Sequence, residues 1–313
     1  MNYSPVKLSS CVKGYLWGGR RLITDFNKKT DLEKAAESWE LSTHKDGESV
    51  VASGEFAGLS LTEYIAKNGG NECIGSKASK FDFFPILIKL IDAKDNLSIQ
   101  VHPDDEYALR VEGEYGKTEM WYIVDCEEDS YLYYGVNREI TKEEFERRIS
   151  DNTLLEVLNK VPVKRGDVFF IPAGTIHAIC SGILICEIQQ NSNTTYRIYD
   201  YDRRDKDGNA RELHVEKAQC VSRLTPSPEQ KKYDGNVIAD CKYFTVEKID
   251  CNGEEKVSLT DDSFRSLVIL SGDGEICLGE KTMSFTKGDS IFIPAQNNEM
   301  RLCGKFEAIL SYV

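Results

Sequence analysis

The sequence lacks several features that would assign it to a specialised class of protein. No apolar run approaches the roughly 18 residues that a membrane-spanning helix needs. The segment Met1–Lys13 has neither a continuous apolar core nor a basic leader, so we expect no secretory signal and a cytoplasmic location. The formal net charge of −13 argues against a nucleic-acid backbone as the main partner, and we expect no membrane partner either.

The cysteines lack the spacing of a disulfide framework or a zinc cluster. The chain has 10 cysteines, spread singly from Cys11 to Cys303, and none belongs to a Cys-x-x-Cys pair. The closest two, Cys180 and Cys186, are six residues apart. We therefore predict reduced thiols that behave as small buried residues.

The composition is that of an ordinary globular protein, with 41% hydrophobic and 29% charged residues. A length of 313 residues suggests about two domains. The polar stretch that contains Pro226 and Pro228 is predicted as a linker, because its two prolines prevent both strand pairing and helix formation. The predicted division is a first domain over 1–223, a linker over 224–235 and a smaller all-β domain over 236–313.

The alternation of residues from Leu97 to His102 predicts a strand with one polar face. Ser98, Gln100 and His102 share that face. Because Pro103 cannot donate a ladder hydrogen bond, the strand should end there and leave His102 near a rim.

Other patterns predict the neighbouring elements. The chain before residue 83 is mostly irregular. Asp95-Asn96 is a turn signal, so the strands on either side of it are predicted to form a hairpin. Thr141 and Glu144 form a capping box. The remaining predicted elements are a buried strand over Asp82–Ile91, a strand over Thr118–Val124, a short helix over Leu32–Trp39 and a helical segment at about 137–160.

An internal repeat supports the division into two domains. Arg165–Ala173 matches Lys287–Ala295 at a constant offset of 122 residues, with a Gly-Asp turn leading into an apolar strand that ends at Pro-Ala. His177 follows the first copy, whereas Glu299 occupies the equivalent place in the second. We therefore expect related domains, with the chemistry kept in the first.

Ligand-type side chains gather on the predicted strands. Only four histidines exist, and two of them lie on strand faces that carry other polar residues. The side chains that suit Zn²⁺ or a neighbouring divalent metal are Gln100, His102, Glu119 and His177. His44 is predicted to lie on the surface, and His214 has no ligand-type partner at a suitable spacing.

The motifs resemble those of a known family. Gly-Asp-x-x-Phe-Ile-Pro-Ala-Gly-Thr-x-His, from Gly166 to His177, resembles the second characteristic motif of the cupin barrels. With Ser98–Pro103 and Lys117–Glu119, the chain resembles the type I mannose-6-phosphate isomerases (phosphomannose isomerases) in their short bacterial form. The resemblance implies a mainly β fold of two cupin-type (jelly-roll) barrels, with a small helical insertion and an irregular N-terminal segment.

The same resemblance implies a site. The family binds one zinc ion per chain through residues that fall here on Gln100, His102, Glu119 and His177. It also implies that Glu187 and Arg197 line the pocket and that Lys117 and Lys89 match its basic residues. Longer members insert a helical domain between the ligands equivalent to Glu119 and His177, which are only 58 positions apart here.

The implied reaction interconverts mannose 6-phosphate and fructose 6-phosphate through a cis-enediol. Glu187 is the first candidate for the base, and water at the metal is the second. Because Glu187 follows an apolar run, its carboxylate also needs a partner to offset the cost of burial. Arg197 would stabilise enediolate charge, while Lys117 or Lys89 would hold phosphate or assist ring opening. The alternative for Arg197 is an ion pair with Asp200 or Asp202.

Two other functions are consistent with the metal-binding motif. One is a non-catalytic, metal-binding sugar-phosphate sensor of double-cupin type. The other is an iron-dependent cupin dioxygenase, which would share the metal motif but not Lys117, Glu187 and Arg197 as a set. The sequence does not predict the oligomeric state.

Overall fold

Short antiparallel strands make up most of the regular structure. The computed structural model describes residues 3–204 and 207–313. Two compact units share the chain. Unit 1 contains the chain up to Lys13, Arg20–Leu90 and Lys232–Val313, whereas unit 2 contains Gly14–Gly19 and Ile91–Lys231. The predominance of strands confirms the predicted mainly β class.

The strands and helices alternate irregularly along the chain. Unit 1 begins with β1 (Val6–Ser9), β2 (Cys11–Lys13), α1 (Arg21–Thr24), β3 (Glu37–Leu41), β4 (Val50–Val51), α2 (Leu61–Lys67), α3 (Asn71–Ile74) and a 3₁₀ turn (Ala78–Lys80), and β5 (Ile86–Ala93) runs from unit 1 into unit 2. Unit 2 continues with β6 (Ile99–Val101), α4 (Asp105–Val111), β7 (Glu119–Cys126), β8 (Tyr131–Val136), α5 (Lys142–Ser150), a 3₁₀ turn (Leu154–Val157), β9 (Leu158–Pro162), β10 (Val168–Ile171), β11 (His177–Ile179), β12 (Ile183–Gln190), β13 (Tyr196–Tyr199) and α6 (Val215–Val221). Unit 1 resumes with β14 (Val237–Asp240), β15 (Thr245–Leu259), β16 (Arg265–Leu278), β17 (Lys281–Thr286), β18 (Ser290–Ile293) and β19 (Asn298–Tyr312).

A five-stranded sheet of unit 2, in the order β13-β6-β11-β8-β9, has an apolar face and a polar face at its centre. Ile99 and Val101 of β6 belong to a buried cluster that includes Phe145 of α5 and Ala218 of α6. Because successive side chains of a strand point to opposite faces, Gln100 projects away from this cluster. The apolar packing therefore sets the direction of the polar face.

The helix predicted within 137–160 is confirmed as α5. Thr141 Oγ1 accepts a hydrogen bond from the backbone N of Glu144 at 3.1 Å, so Thr141 caps the helix. The predicted capping box is incomplete, because the carboxylate of Glu144 accepts hydrogen bonds from Arg138 and Arg148 instead of from the backbone N of Thr141. Phe145 buries its side chain completely and joins the helix to the core of unit 2.

Unit 1 contains a larger sheet in the order β14-β15-β19-β16-β18-β1-β4, with β17 paired to β16. Its strands β15, β16 and β19 bury a second apolar cluster that includes Ile269, Leu302 and Leu310. The regular elements of residues 236–313, all of which are described, are strands.

Two local predictions are wrong. Leu32–Trp39 does not form a helix, because β3 begins at Glu37, and the three residues at helical spacing do not share a buried face: Leu32 is 42% exposed while Ala36 and Trp39 are fully buried. The predicted hairpin across Asp95-Asn96 does not form either, because β5 and β6 belong to different sheets. After the turn, Leu97 N donates instead to Ile179 O, beside β11.

The predicted domain boundaries stay predictions. They describe continuous ranges, whereas each compact unit is made of separate stretches of the chain. All 10 cysteines are free thiols, as predicted, but only four of them are buried, so the predicted burial is wrong for the other six. Within residues 3–204 and 207–313, no helix has the length and the apolar character to cross a membrane.

Candidate metal centre

A row of side chains across the five-stranded sheet forms one wall of the centre. Gln100 of β6 lies opposite Arg197 of β13 and opposite His177 of β11, and His177 lies opposite Tyr134 of β8. Directly paired residues of antiparallel strands point to the same face. His102, two residues after Gln100, continues on that face at the end of the strand.

A second sheet supplies two carboxylates. Strands β10, β7 and β12 are adjacent in it, and the β7–β12 register pairs Glu119 with Gln189 and Trp121 with Glu187. All four side chains are at most 3% exposed. A buried carboxylate is costly unless a partner satisfies it, so two on one sheet face indicate a site rather than plain core.

Three side chains from the two sheets converge. His102 Nε2 lies 3.2 Å from Glu119 Oε1, and His177 Nε2 lies 3.7 Å from Glu119 Oε2. One ligand atom from each residue lies within 4.8 Å of the others, close enough for all three to bind one ion. The structure therefore places these three side chains close together, as the sequence predicts.

Backbone carbonyls orient both histidines. His102 Nδ1 lies 2.9 Å from Thr194 O, and His177 Nδ1 lies 2.8 Å from Thr175 O. A carbonyl can only accept, so each Nδ1 carries the hydrogen and each Nε2 presents its lone pair toward Glu119. Such bonds to the outer ring nitrogen are how metal-ligating histidines are held.

The unsatisfied atoms of the centre fit a cation. Both oxygens of Glu119 are fully buried, and apart from the ion pair of Oε1 with Lys117 neither oxygen accepts a hydrogen bond from a described residue. A divalent ion bound by Glu119, His102 and His177 would satisfy that carboxylate and both imidazole lone pairs.

The charges of the centre favour the metal-binding protonation states. Lys117 Nζ lies 2.9 Å from Glu119 Oε1 and 3.3 Å from His102 Nε2. Burial alone would raise the pKa of Glu119, but the charge of Lys117 and the interactions with His102 hold that pKa well below its usual range. Burial, and then the charge of Lys117, lowers the pKa of His102 to about 3, and burial lowers the pKa of His177. The centre thus combines an anionic carboxylate with two neutral imidazoles.

Gln100 lies at the edge of this cluster. Its Nε2 is 3.4 Å from His177 Nε2, and a half turn of the carboxamide would place the ligating oxygen there instead. Gln100 is half-buried, unlike the other three residues. Its predicted role as a ligand stays a prediction.

Between His102 and Glu119 the chain forms a loop whose two ends are joined by a backbone hydrogen bond, and we name it the clipped loop. Residues 104–116, which contain α4, leave after Pro103 and return at Lys117, whose backbone N donates to Pro103 O at 2.9 Å. Gly116 has no room for a side chain, since a Cβ would lie 2.4 Å from the carbonyl carbon of Asp104. The ends of the loop therefore stay together beside the centre.

Comparison with known proteins decides the family. Residues 6–122 match the model of the phosphomannose isomerase type I catalytic domain, and residues 235–313 match the model of the mannose-6-phosphate isomerase cupin domain. The chain is 38% identical over 322 residues to the mannose-6-phosphate isomerase ManA of Bacillus subtilis, with 100% of both chains covered. The chain belongs to the type I mannose-6-phosphate isomerase family.

Solved structures of mannose-6-phosphate isomerases have the same fold. The crystal structure of the Bacillus subtilis enzyme matches with a TM-score of 0.89 and 36% identity, over 99% of this chain and 100% of that chain. A zinc-bound mannose 6-phosphate isomerase matches with a TM-score of 0.79 over 99% of both chains, but at 17% identity it shows the fold alone. The predicted family, the cupin-type fold class and the isomerase class are confirmed.

An aromatic residue holds the side chain that is predicted as the base. Glu187 Oε2 accepts a hydrogen bond of 2.7 Å from Trp121 Nε1. The indole N–H of Trp121 is therefore one of the partners that the buried carboxylate of Glu187 needs. Trp121 gave no functional signal in the sequence, because an aromatic residue inside a strand is typical of core.

Arg197 is not bound to the carboxylate that the sequence suggested. The side-chain oxygens of Asp200 accept hydrogen bonds from Arg203 and Arg211. Arg197 Nη1 instead donates to the carbonyl of Glu212 at 2.8 Å. Burial, and then the neighbouring charge of Arg211, lowers the pKa of Arg197. Its guanidinium thus lies on the face of Gln100 with no carboxylate hydrogen-bonded to it among the described residues.

Lys89 belongs to unit 1, and there its surroundings are well defined. Its Nζ lies 3.4 Å from Glu37 Oε2 and 5.0 Å from the centroid of the Trp39 ring. The side chain is only 4% exposed, so the lysine does not lie at a solvated edge. Its predicted part in substrate binding stays a prediction.

The other two histidines lie outside the centre. His44 is buried, 6% exposed, with its ring against Trp39, so its predicted surface position is wrong. His214 Nδ1 accepts from the backbone N of Arg197 at 3.2 Å, and the backbone N of His214 donates to Arg197 O at 2.7 Å. His214 therefore fixes the backbone of a predicted site residue, a role that its spacing in the sequence did not reveal.

Proposed function

We propose that this member of the family interconverts mannose 6-phosphate and fructose 6-phosphate through a cis-enediol at the centre formed by His102, Glu119 and His177. The observation that carries the proposal is the convergence of these three buried side chains, within 4.8 Å of one another. Glu187 and Arg197 lie on strands that pair with the ligand-bearing strands, and both fit an acid–base reaction of a polar substrate.

The proposed metal is one Zn²⁺ per chain, with Gln100 as a further ligand. Imidazole nitrogen and carboxylate oxygen suit zinc, and the name of a relative with the same fold describes it as zinc-bound. When bound, a divalent ion would polarise the sugar oxygens and orient the open-chain carbonyl.

The protein's own residues would move the proton and hold the anion. Glu187 would take the proton from C2 of the aldose and return it to C1, since a buried carboxylate fixed by a hydrogen bond suits a general base. Arg197 would stabilise the enediolate charge, and its lack of a hydrogen-bonded carboxylate supports that role. Lys117, Lys89 and Arg197 would bind the substrate and its phosphate, with Lys117 also assisting ring opening.

The proposed setting is the cytoplasm, and the proposed partner is the sugar phosphate itself. No role with nucleic acid or a membrane is proposed, in keeping with the net charge of −13. A non-catalytic sugar-phosphate sensor is not favoured, because the matching relatives are named as isomerases across the full length of the chain.

Metal analysis together with a coupled assay for fructose 6-phosphate tests the proposal. Zinc with isomerase activity is expected. Iron with oxygen uptake, or zinc with sugar-phosphate binding but no turnover, would contradict it.

The Arg197→Ala variant tests the site itself. We expect a fall in kcat of about 100-fold or more with the metal retained, because a positive charge beside the developing enediolate is removed. Arg138→Ala removes a half-exposed arginine that precedes α5 in the same unit, and it should leave kcat unchanged. Wild-type turnover by Arg197→Ala with metal bound would show that its proposed catalytic role is wrong.

A further inference from the structure

Trp121 contacts two residues of the site at once. Its indole Nε1 donates to Glu187 Oε2 at 2.7 Å. Its ring also packs against the ring of His177 in a T-shaped contact, with 5.3 Å between the centroids. Trp121 is fully buried and Glu187 is 3% exposed, so solvent does not compete for this hydrogen bond.

The backbone register holds this pair side by side. Trp121 and Glu187 are direct partners in the β7–β12 ladder, so their side chains leave the same face of the sheet. Packing alone does not require an indole here, because an aliphatic side chain also fills a strand position in a core. What tryptophan adds is an N–H group aimed at a carboxylate, and such charge-assisted bonds are stronger than neutral ones.

We propose that Trp121 is a positioning residue that fixes the rotation of the Glu187 carboxylate toward the reacting carbons. The inference rests on the proposed function of Glu187 as the base. With Oε2 held by the indole, the carboxylate cannot rotate about its last bond without losing that hydrogen bond. A misplacement of about 1 Å in a reacting group can lower a rate by about 100-fold. Trp121 thus acts through Glu187 and not on the substrate.

The decisive variant removes the N–H group and keeps the shape of the ring. β-(3-Benzothienyl)alanine at position 121 replaces the N–H by sulfur, and Trp121→Phe is a second variant made by ordinary mutagenesis. We expect kcat to fall about tenfold or more, the effect of losing one hydrogen bond to a charged group. KM should stay within about threefold, and metal content should not change, because neither depends on the orientation of the base.

A double-mutant cycle separates positioning from packing. In a Glu187→Gln background, removal of the indole N–H should have little further effect on kcat, because the group through which it acts is already gone. Independent effects that multiply, or wild-type kcat in the benzothienyl variant, would overturn the inference. Full activity of Glu187→Gln alone would overturn the base assignment, and the inference with it, and that result is read without any change at Trp121.

Trp17→Phe provides the matched control. Trp17 is also buried in unit 2, 4% exposed, and its ring stacks with Tyr15. The control loses the same volume as Trp121→Phe and should leave kcat and KM unchanged. An equal loss of kcat in both variants would mean that loosened packing, not the hydrogen bond, explains the effect, and would overturn the inference.

Discussion

Unit 1 and unit 2 contain the same turn with the same hydrogen bonds. In unit 2, Gly166 N donates to Ile123 O at 2.9 Å, and in unit 1, Gly288 N donates to Ile269 O at 2.9 Å. The two glycines have φ angles of 90° and 89°. The repeat that is visible in the sequence therefore corresponds to a repeated piece of backbone, down to individual hydrogen bonds.

The side chains next to the two turns differ in charge. The strand after the first turn pairs Ile171 with Glu119, whereas the strand after the second pairs Ile293 with Arg265. Arg265 is buried and stacks on the ring of Tyr312, 4.0 Å from its centroid. A cation therefore occupies the place that the carboxylate of the centre has in unit 2, and it would repel a metal ion. The shared backbone provides a frame, and single residues decide whether it carries chemistry.

The largest expected effect comes from removing the charge that distinguishes the two units. Glu119→Gln should lower metal affinity by about 100-fold or more, and turnover with it, because a neutral amide replaces the anionic ligand. Metal analysis after dialysis and the fructose 6-phosphate assay measure this. Arg265→Gln makes the corresponding change in unit 1 and should keep metal content and kcat. Full metal content in Glu119→Gln would mean that Glu119 is not a ligand.

An intermediate effect is expected from the two turn glycines. Alanine at either position would be forced into the left-handed region, which costs about 1–2 kcal/mol. A Cβ on Gly288 would also lie 2.1 Å from Phe26 O, whereas a Cβ on Gly166 has open space. Gly288→Ala should therefore lower the free energy of unfolding by about 3 kcal/mol or more, and Gly166→Ala by about half as much. Urea unfolding curves compare them, and equal losses would contradict the predicted role of the Phe26 contact.

The smallest effect concerns the aspartates of the two turns. Asp167 Oδ2 accepts from the backbone N of Lys164, and Asp289 Oδ2 accepts from that of Thr286, both at 2.9 Å. Asp289 also forms an ion pair with Lys7 at 2.7 Å. Alanine at either position should lower the free energy of unfolding by about 1 kcal/mol, with about 0.5 kcal/mol more at Asp289. That extra loss should shrink in about 1 M salt, and a difference that salt does not change would exclude the ion pair as its cause.

The sequence predicted the converging side chains because strands impose a period of two. Gln100 and His102 had to share a face once Leu97–His102 was taken as a strand, and the structure places both beside His177. The carbonyls of Thr194 and Thr175 that orient the histidines could not be predicted, because every residue has a carbonyl and only the fold selects one.

Other errors arose where local spacing competes with the choice of sheet. The pattern over Leu32–Trp39 fits a helix, yet the residues from Glu37 onward form a buried strand. The turn at Asp95-Asn96 is a correct signal for a change of direction. It says nothing about which strand comes next to β6, and that choice depends on contacts distant in the chain.

The clipped loop between Pro103 and Lys117 bears on how this chain can change over evolution. Because the two ends meet at a backbone hydrogen bond, the length of the loop does not by itself set the distance between His102 and Glu119. Within the loop, Asp105 and Glu112 are tied to the strands, since their carboxylates accept hydrogen bonds from Gln190 and Tyr196. The end of the loop at Gly116 is more constrained, since Gly116 touches the backbone of Asp104 and has no space for any side chain. During evolution the exposed part of this loop could therefore change, and give the protein a new surface, while its fixed ends keep the metal centre intact.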